Sequence, residues 1–134
     1  MKTEAAGRVL GMAVFPVLPL SWNAMLALGT MARARKRSQD KARWAILLMT
    51  KEGRKLPRGV KGVEVHVSCV GATRRDPDNL YSKTIIDAMR QVGILHDDDS
   101  EHVTAVRLEY RKRKGAPEVT GIRLVESTEP GAGT

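Results

Sequence analysis

The sequence predicts a single α+β domain, a small mixed or antiparallel sheet covered by helices. Three observations carry that expectation. The chain has 134 residues, enough for one core and too few for two ordinary ones. Several segments alternate apolar and polar residues with the period of a strand, and two others carry apolar stripes at helical spacing. Along the chain these read β, α, β, α, β, β. The expected domain covers residues 1–128, with a loose tail at 129–134 rich in Gly and Pro.

The first strand is expected in the apolar run from Val9 to Leu20, buried, and leaving through Pro16 and Pro19. That run is far shorter than the roughly 20 residues a membrane-spanning helix needs, and it lacks a small-residue cleavage site. A cytosolic protein with no membrane partner is expected. Met25 to Arg37 shows no clear periodicity. From Gln39 to Glu52, Ala42, Ala45, Leu48 and the neighbouring Trp44 and Leu47 form a helical stripe, which Gly53 ends. Val63, Val65, Val67 and Cys69 alternate with Glu64, His66 and Ser68, a strand with one face buried. Asp78 or Asn79 can cap a helix over Leu80 to Val92, whose core face is Ile85, Ile86, Met89 and Val92, with Gly93 as its stop. Val106, Leu108 and Tyr110 alternate in a further strand. The turn at Lys114 to Pro117 then predicts Val119 to Val125 as its hairpin partner.

Charge narrows the function. The formal net charge is +8, with a pI near 10.1, which suits a phosphate backbone as partner. Eleven basic residues lie between Arg33 and Lys61, opposed only by Asp40 and Glu52. Cys69 is the only cysteine, so neither an internal disulfide nor a cysteine-rich zinc site exists. Few aromatic residues argue against stacking single-stranded bases.

Against this basic background, six of the seven aspartates fall between positions 76 and 99. Asp76 and Asp78, two apart in extended chain, project to one side, and Pro77 disfavours helix at Asp76. A helix from Leu80 to Val92 and a return from Gly93 can bring Asp97, Asp98 or Asp99 back beside them. Hard oxygen ligands favour Mg2+, with Mn2+ as a substitute. The bland alternatives are turn chemistry at Asp-Pro-Asp-Asn and a solvated acidic loop. An EF-hand is excluded, because Leu80 and Tyr81 stand where a ligand and the sharp-turn Gly are needed. Asp87 follows Lys83 by four residues, a simple helix ion pair. His96 and His102 are expected as hydrogen-bonded loop residues, and His66 as a strand residue.

Asp76-x-Asp78-Asn79-Leu80, a following lysine, Asp87-Ala88, Gly93 and the Asp97-Asp98 pair resemble the RusA family of Holliday junction resolvases. Pro19-Leu20-Ser21-Trp22-Asn23 is similar to that family's Pro-Pro-Ser-x-Asn opening. The resemblance spans roughly Val9 to Val125. It implies that Asp76, Asp78 and Asp98 hold magnesium and that Lys83 is the catalytic lysine. It further implies a homodimer acting in a bacterial or phage-infected cell, cutting branched double-stranded DNA by paired nicks. The sequence departs from the family twice. Three residues, not two, separate Asn79 from Lys83, and Asp99-Ser100-Glu101 replaces the glutamine after the aspartate pair.

The chemistry so implied is phosphodiester hydrolysis, with magnesium polarising the phosphate and Lys83 neutralising developing charge. Arg74 and Arg75 adjoin the proposed ligands. Arg33, Arg35, Lys36 and Arg37, with Lys112 and Arg113, are the candidate backbone contacts. Two rivals stand beside this: a non-enzymatic basic nucleic-acid binder, and a magnesium nuclease acting on other DNA structures.

Overall fold

Alternating valines place Val63–Gly71 (β3) at the centre of a four-stranded sheet, with Val63, Val65, Val67 and Cys69 buried beneath two helices. The computed structural model describes residues 7–73, 79–97 and 102–127. Around β3 the elements are β1 (Val9–Phe15), β2 (Leu20–Ser21), α1 (Trp22–Leu26), α2 (Thr30–Leu48), a 3-10 turn at Gly53–Lys55, β4 (Leu80–Tyr81), α3 (Lys83–Gln91), β5 (Val103–Lys112) and β6 (Val119–Glu126). The fold is α+β with a mixed sheet, as expected. Strand order is β1-β6-β3-β5; β6 runs antiparallel to both neighbours and β3 parallel to β5. A separate two-stranded ribbon joins β2 to β4. No described helix is long and apolar enough to cross a membrane.

One layer of the core comes from the sheet and the other from the helices. Phe15, Ile122 and Leu124 join the β3 valines against Trp44, Leu48, Ile85 and Met89. Phe15 meets Trp44 edge-on, ring centroids 5.7 Å apart. Gly93, at φ +86°, turns the chain after α3, and the Gly93 and Ile94 carbonyls accept from the Gly59 and Val60 amides. The path after Gly93 is therefore tied to the loop before β3 rather than running as a simple extended return.

Three expectations are corrected. β6 is not the hairpin partner of β5, because β3 lies between them. The reason is burial. Thr120, Ile122, Leu124 and Val125 of β6 are all buried and need a neighbour on each side, whereas β5 carries Arg107, Glu109, Arg111 and Lys112 and suits an edge. Helix α2 begins at Thr30, far ahead of Gln39. Its first turns lack an apolar stripe because most of their side chains are exposed, but Met31, Ala32, Ala34 and the surrounding arginines are strong helix formers. Finally, Leu80 and Tyr81 are not helical: both are buried in β4, and Ser82 stands at the cap of α3.

The first strand also differs in its exposure. β1 is an edge strand ending before Pro16, with Ala13 and Phe15 buried and Met12 and Val14 exposed. Its free edge is closed by Glu52, whose carboxylate accepts from the Val14 amide at 2.8 Å. The expected tail at 129–134 lies outside the described residues.

Candidate active site

The two segments that suggested a family are brought into contact. Leu20 pairs with Tyr81 and Ser21 with Leu80 in the β2–β4 ribbon. The Asn79 side-chain oxygen accepts from the Asn23 amide at 2.9 Å and the Ser21 hydroxyl at 3.3 Å. Ser21 also caps α1 by accepting from the Ala24 amide. Trp22 stands edge-on to Tyr81, centroids 4.6 Å apart.

Lys83 is the first residue of α3. The three residues between Asn79 and Lys83 lie ahead of that helix, Leu80 and Tyr81 in β4 and Ser82 at the cap. The Lys83 ammonium donates to Asp87 at 3.2 Å, the pair expected four residues apart. Lys83 lines a groove of about 590 Å3 together with Leu80, Tyr81, Trp22, Val103 and Val106. A second groove of about 490 Å3 on its other side is lined by Arg37, Ser38, Lys41, Thr84 and Asp87.

Asp76, Asp78 and Asp98 lie outside the described residues, as do Asp99, Arg74 and Arg75. Asp97 is described and half-buried. Among the described residues no group of three His, Cys, Asp or Glu side chains could hold a metal ion. The described softer donors have other contacts. Cys69 is buried against the Thr120 hydroxyl, His66 bonds Glu64, and the His96 and His102 rings stack on each other, centroids 5.2 Å apart.

The basic residues divide by role. Arg33 folds back to donate to the Met25 and Leu28 carbonyls, closing the turn between α1 and α2. Arg35, Lys36 and Arg37 are exposed on the amino-terminal half of α2. Lys112 and Arg113 are exposed where β5 passes Gly71; the Arg113 amide donates to the Gly71 carbonyl, and Tyr110 donates to the Thr73 carbonyl.

Sequence reasoning missed Asp40, counted only as an opposing charge. It is buried, accepting from the Thr84 hydroxyl at 2.5 Å and from Arg43 at 2.6 Å. Arg43 also donates to the Leu18 carbonyl. Asp40 thus fixes the start of α3, one residue beyond Lys83, to α2 and to the chain entering β2. The signal was available: Asp40, Trp44 and Leu48 share one helical face, and a lone acid on a core stripe needs partners. On the open sheet face, Glu64 accepts from Arg107 at 3.0 Å and His66 at 2.9 Å, and these hold its carboxyl below the ordinary carboxylate range. Lys55 and the Val14 amide do the same for Glu52.

No family model matches the chain, and no curated protein matches it. Among solved structures it is similar to CetZ1 from Haloferax volcanii, a GDP-bound monomer, at 17% identity and a TM-score of 0.36. The likeness covers 91% of this chain but 29% of that one. The chain thus spans less than a third of that protein, and so loose a likeness assigns no activity.

Proposed function

We propose that the protein is a magnesium-dependent endodeoxyribonuclease that resolves four-way DNA junctions by paired nicks, acting as a homodimer in DNA recombination and repair. The observation that carries the proposal is the contact of Asn79 with Ser21 and Asn23. It joins the amino-terminal and central parts of the motif on which the resemblance to the RusA resolvases rests, although 58 positions separate Ser21 from Asn79. Lys83 shares one groove with Trp22 and Leu80, residues of the same two motif segments, which further supports it.

In this proposal Asp76, Asp78 and Asp98 hold the metal. Bound there, magnesium supplies Lewis-acid polarisation of the phosphate and a more acidic water. The chain's own groups do the positioning. Asn79 is tied through its side-chain oxygen to Ser21 of β2 and to the Asn23 amide. Asp40 anchors Thr84, and with it the first turn of α3. Lys83, its ammonium oriented by Asp87, stabilises negative charge developing on the phosphate or the leaving oxygen. Arg35, Lys36, Arg37, Lys112 and Arg113, with Arg74 and Arg75, hold junction arms through backbone charge, without sequence preference.

The test is incubation with a synthetic four-way junction and with linear duplex, each with and without magnesium. Paired nicks in the junction alone, only with metal, are expected. Binding without any product favours a non-enzymatic basic binder, and equal cutting of the duplex favours a general nuclease.

A further inference from the structure

The two edges of the sheet are not alike. The β1 edge is blocked by Glu52 on the Val14 amide, and the Lys55 to Pro57 segment lies so close that a Cβ on Gly11 would meet the Pro57 ring at 2.7 Å. β5 is the other edge, ten residues long, and among the described residues no strand pairs with its outer side. Its helix-side residue Val106 remains exposed, beside the groove that holds Lys83 and Leu108. An open edge presents unpaired amides and carbonyls to another strand, and charged side chains such as those of β5 admit only a partner whose charges complement them.

We infer that β5 pairs antiparallel with β5 of a second copy about a two-fold axis through Leu108, making one continuous eight-stranded sheet. The second copy is the occupant that the homodimer proposed above requires, and the inference rests on that reading for its partner. The register follows from charge. In an antiparallel pair, residues directly opposite share a face, so a two-fold axis normal to the sheet must pass through a residue position. An axis at Arg107, Glu109 or Arg111 sets that charge against its own copy, which is destabilising. An axis at Val106 sets Arg107 opposite the partner's Ala105 and forms no ion pair. An axis at Tyr110 joins Glu109 to the partner's Arg111 but sets Arg107 against the partner's Arg113. At Leu108, Arg107 faces the partner's Glu109 in both directions, and Val106 faces the partner's Tyr110. Glu109 is exposed and has no hydrogen bond or ion pair among the described residues. The partner's strand would then extend the wall of the Lys83 groove, so each site adjoins the dimer seam.

The register makes Leu108 the one position that opposes itself, at about 4.5 to 5.5 Å between Cα atoms, within disulfide reach. Val106 lies about 13 Å from its own copy. The experiment compares Leu108→Cys and Val106→Cys under mild oxidation, read on non-reducing gels, with sedimentation of the wild type and Glu109→Arg. Cys69 is buried and serves as its own control in the wild type. A covalent dimer with Leu108→Cys alone, and at least a tenfold weaker dimer with the exposed Glu109→Arg, are expected. A wild-type monomer overturns the inference. So does a wild-type dimer in which Leu108→Cys does not cross-link, and in that case junction cleavage by the wild type still decides the functional reading separately. A cross-linked dimer that never cuts a junction upholds the interface and removes the resolvase function instead.

Discussion

Asn79 binds Asn23 and Ser21 through a single oxygen, with the Asn23 amide at 2.9 Å and the Ser21 hydroxyl at 3.3 Å. One side chain thereby ties the start of the β2–β4 ribbon to the start of α1. Asn79→Ala is expected to cost about 0.5–1.5 kcal/mol of stability, since it removes the acceptor shared by Asn23 and Ser21. Asn79→Asp keeps the acceptor and is expected to stay near wild type. Urea unfolding checks both; an alanine variant as stable as the wild type removes Asn79 as an anchor.

Lys83→Ala should lower single-turnover cleavage far more than junction affinity, because a catalytic cation acts mainly in the transition state. Its exposed pair with Asp87 adds no more than about 0.5 kcal/mol, so the variant should melt close to wild type. Weaker junction affinity with a normal cleavage rate makes Lys83 a backbone contact.

Asp40→Ala should destabilise by about 1–3 kcal/mol, since it removes hydrogen bonds from Thr84 and Arg43 at a buried position. It should also lower cleavage in molecules that remain folded, through the start of α3. Thr84→Val tests the same link from the other side, without disturbing Arg43.

The main elements were legible because their faces are. Val63 to Cys69 alternates cleanly, and the stripe Ile85, Ile86 and Met89 belongs to α3 as expected. What failed was neighbour choice and element starts. The turn at Gly115 suggests a hairpin, yet pairing is decided by burial: β6 needs two neighbours, and the charges of β5 push it to an edge. Leu80 and Tyr81 look helical because a cap precedes them, but their partner strand is Leu20–Ser21, which lies far away in sequence. The candidate cations were legible by type, while the inward role of Arg33 depends on the α1–α2 turn, which no periodicity reveals.

Salt dependence separates those cations. Neutralising Arg35, Lys36 and Arg37 together should flatten the fall of log affinity with log salt by about one unit for each phosphate they neutralise in the wild type. Arg33→Gln should instead show itself as a lower melting temperature. An unaltered slope in the triple variant moves the DNA surface off α2.

Glu64 sets an acid limit to stability. Its folded-state carboxyl titrates below the ordinary 4.5, held down by Arg107 and then His66. Its contribution is full above that ordinary value and is lost as pH falls through the lower folded value. Glu64→Gln should therefore flatten the stability curve in that acid window, while at neutral pH it removes the ion pair with Arg107. An unchanged acid limb in equilibrium unfolding contradicts this.

The most direct test of the central claim is single-turnover cleavage of a four-way junction at saturating protein, comparing wild type with Asp76→Asn and Asp78→Asn in magnesium. The account predicts two nicks on opposing strands for the wild type. It predicts a loss of roughly a hundredfold or more for each variant, with junction binding equal or tighter, because the metal's charge stabilisation goes while repulsion of phosphate falls. Unchanged nicking by both variants contradicts it.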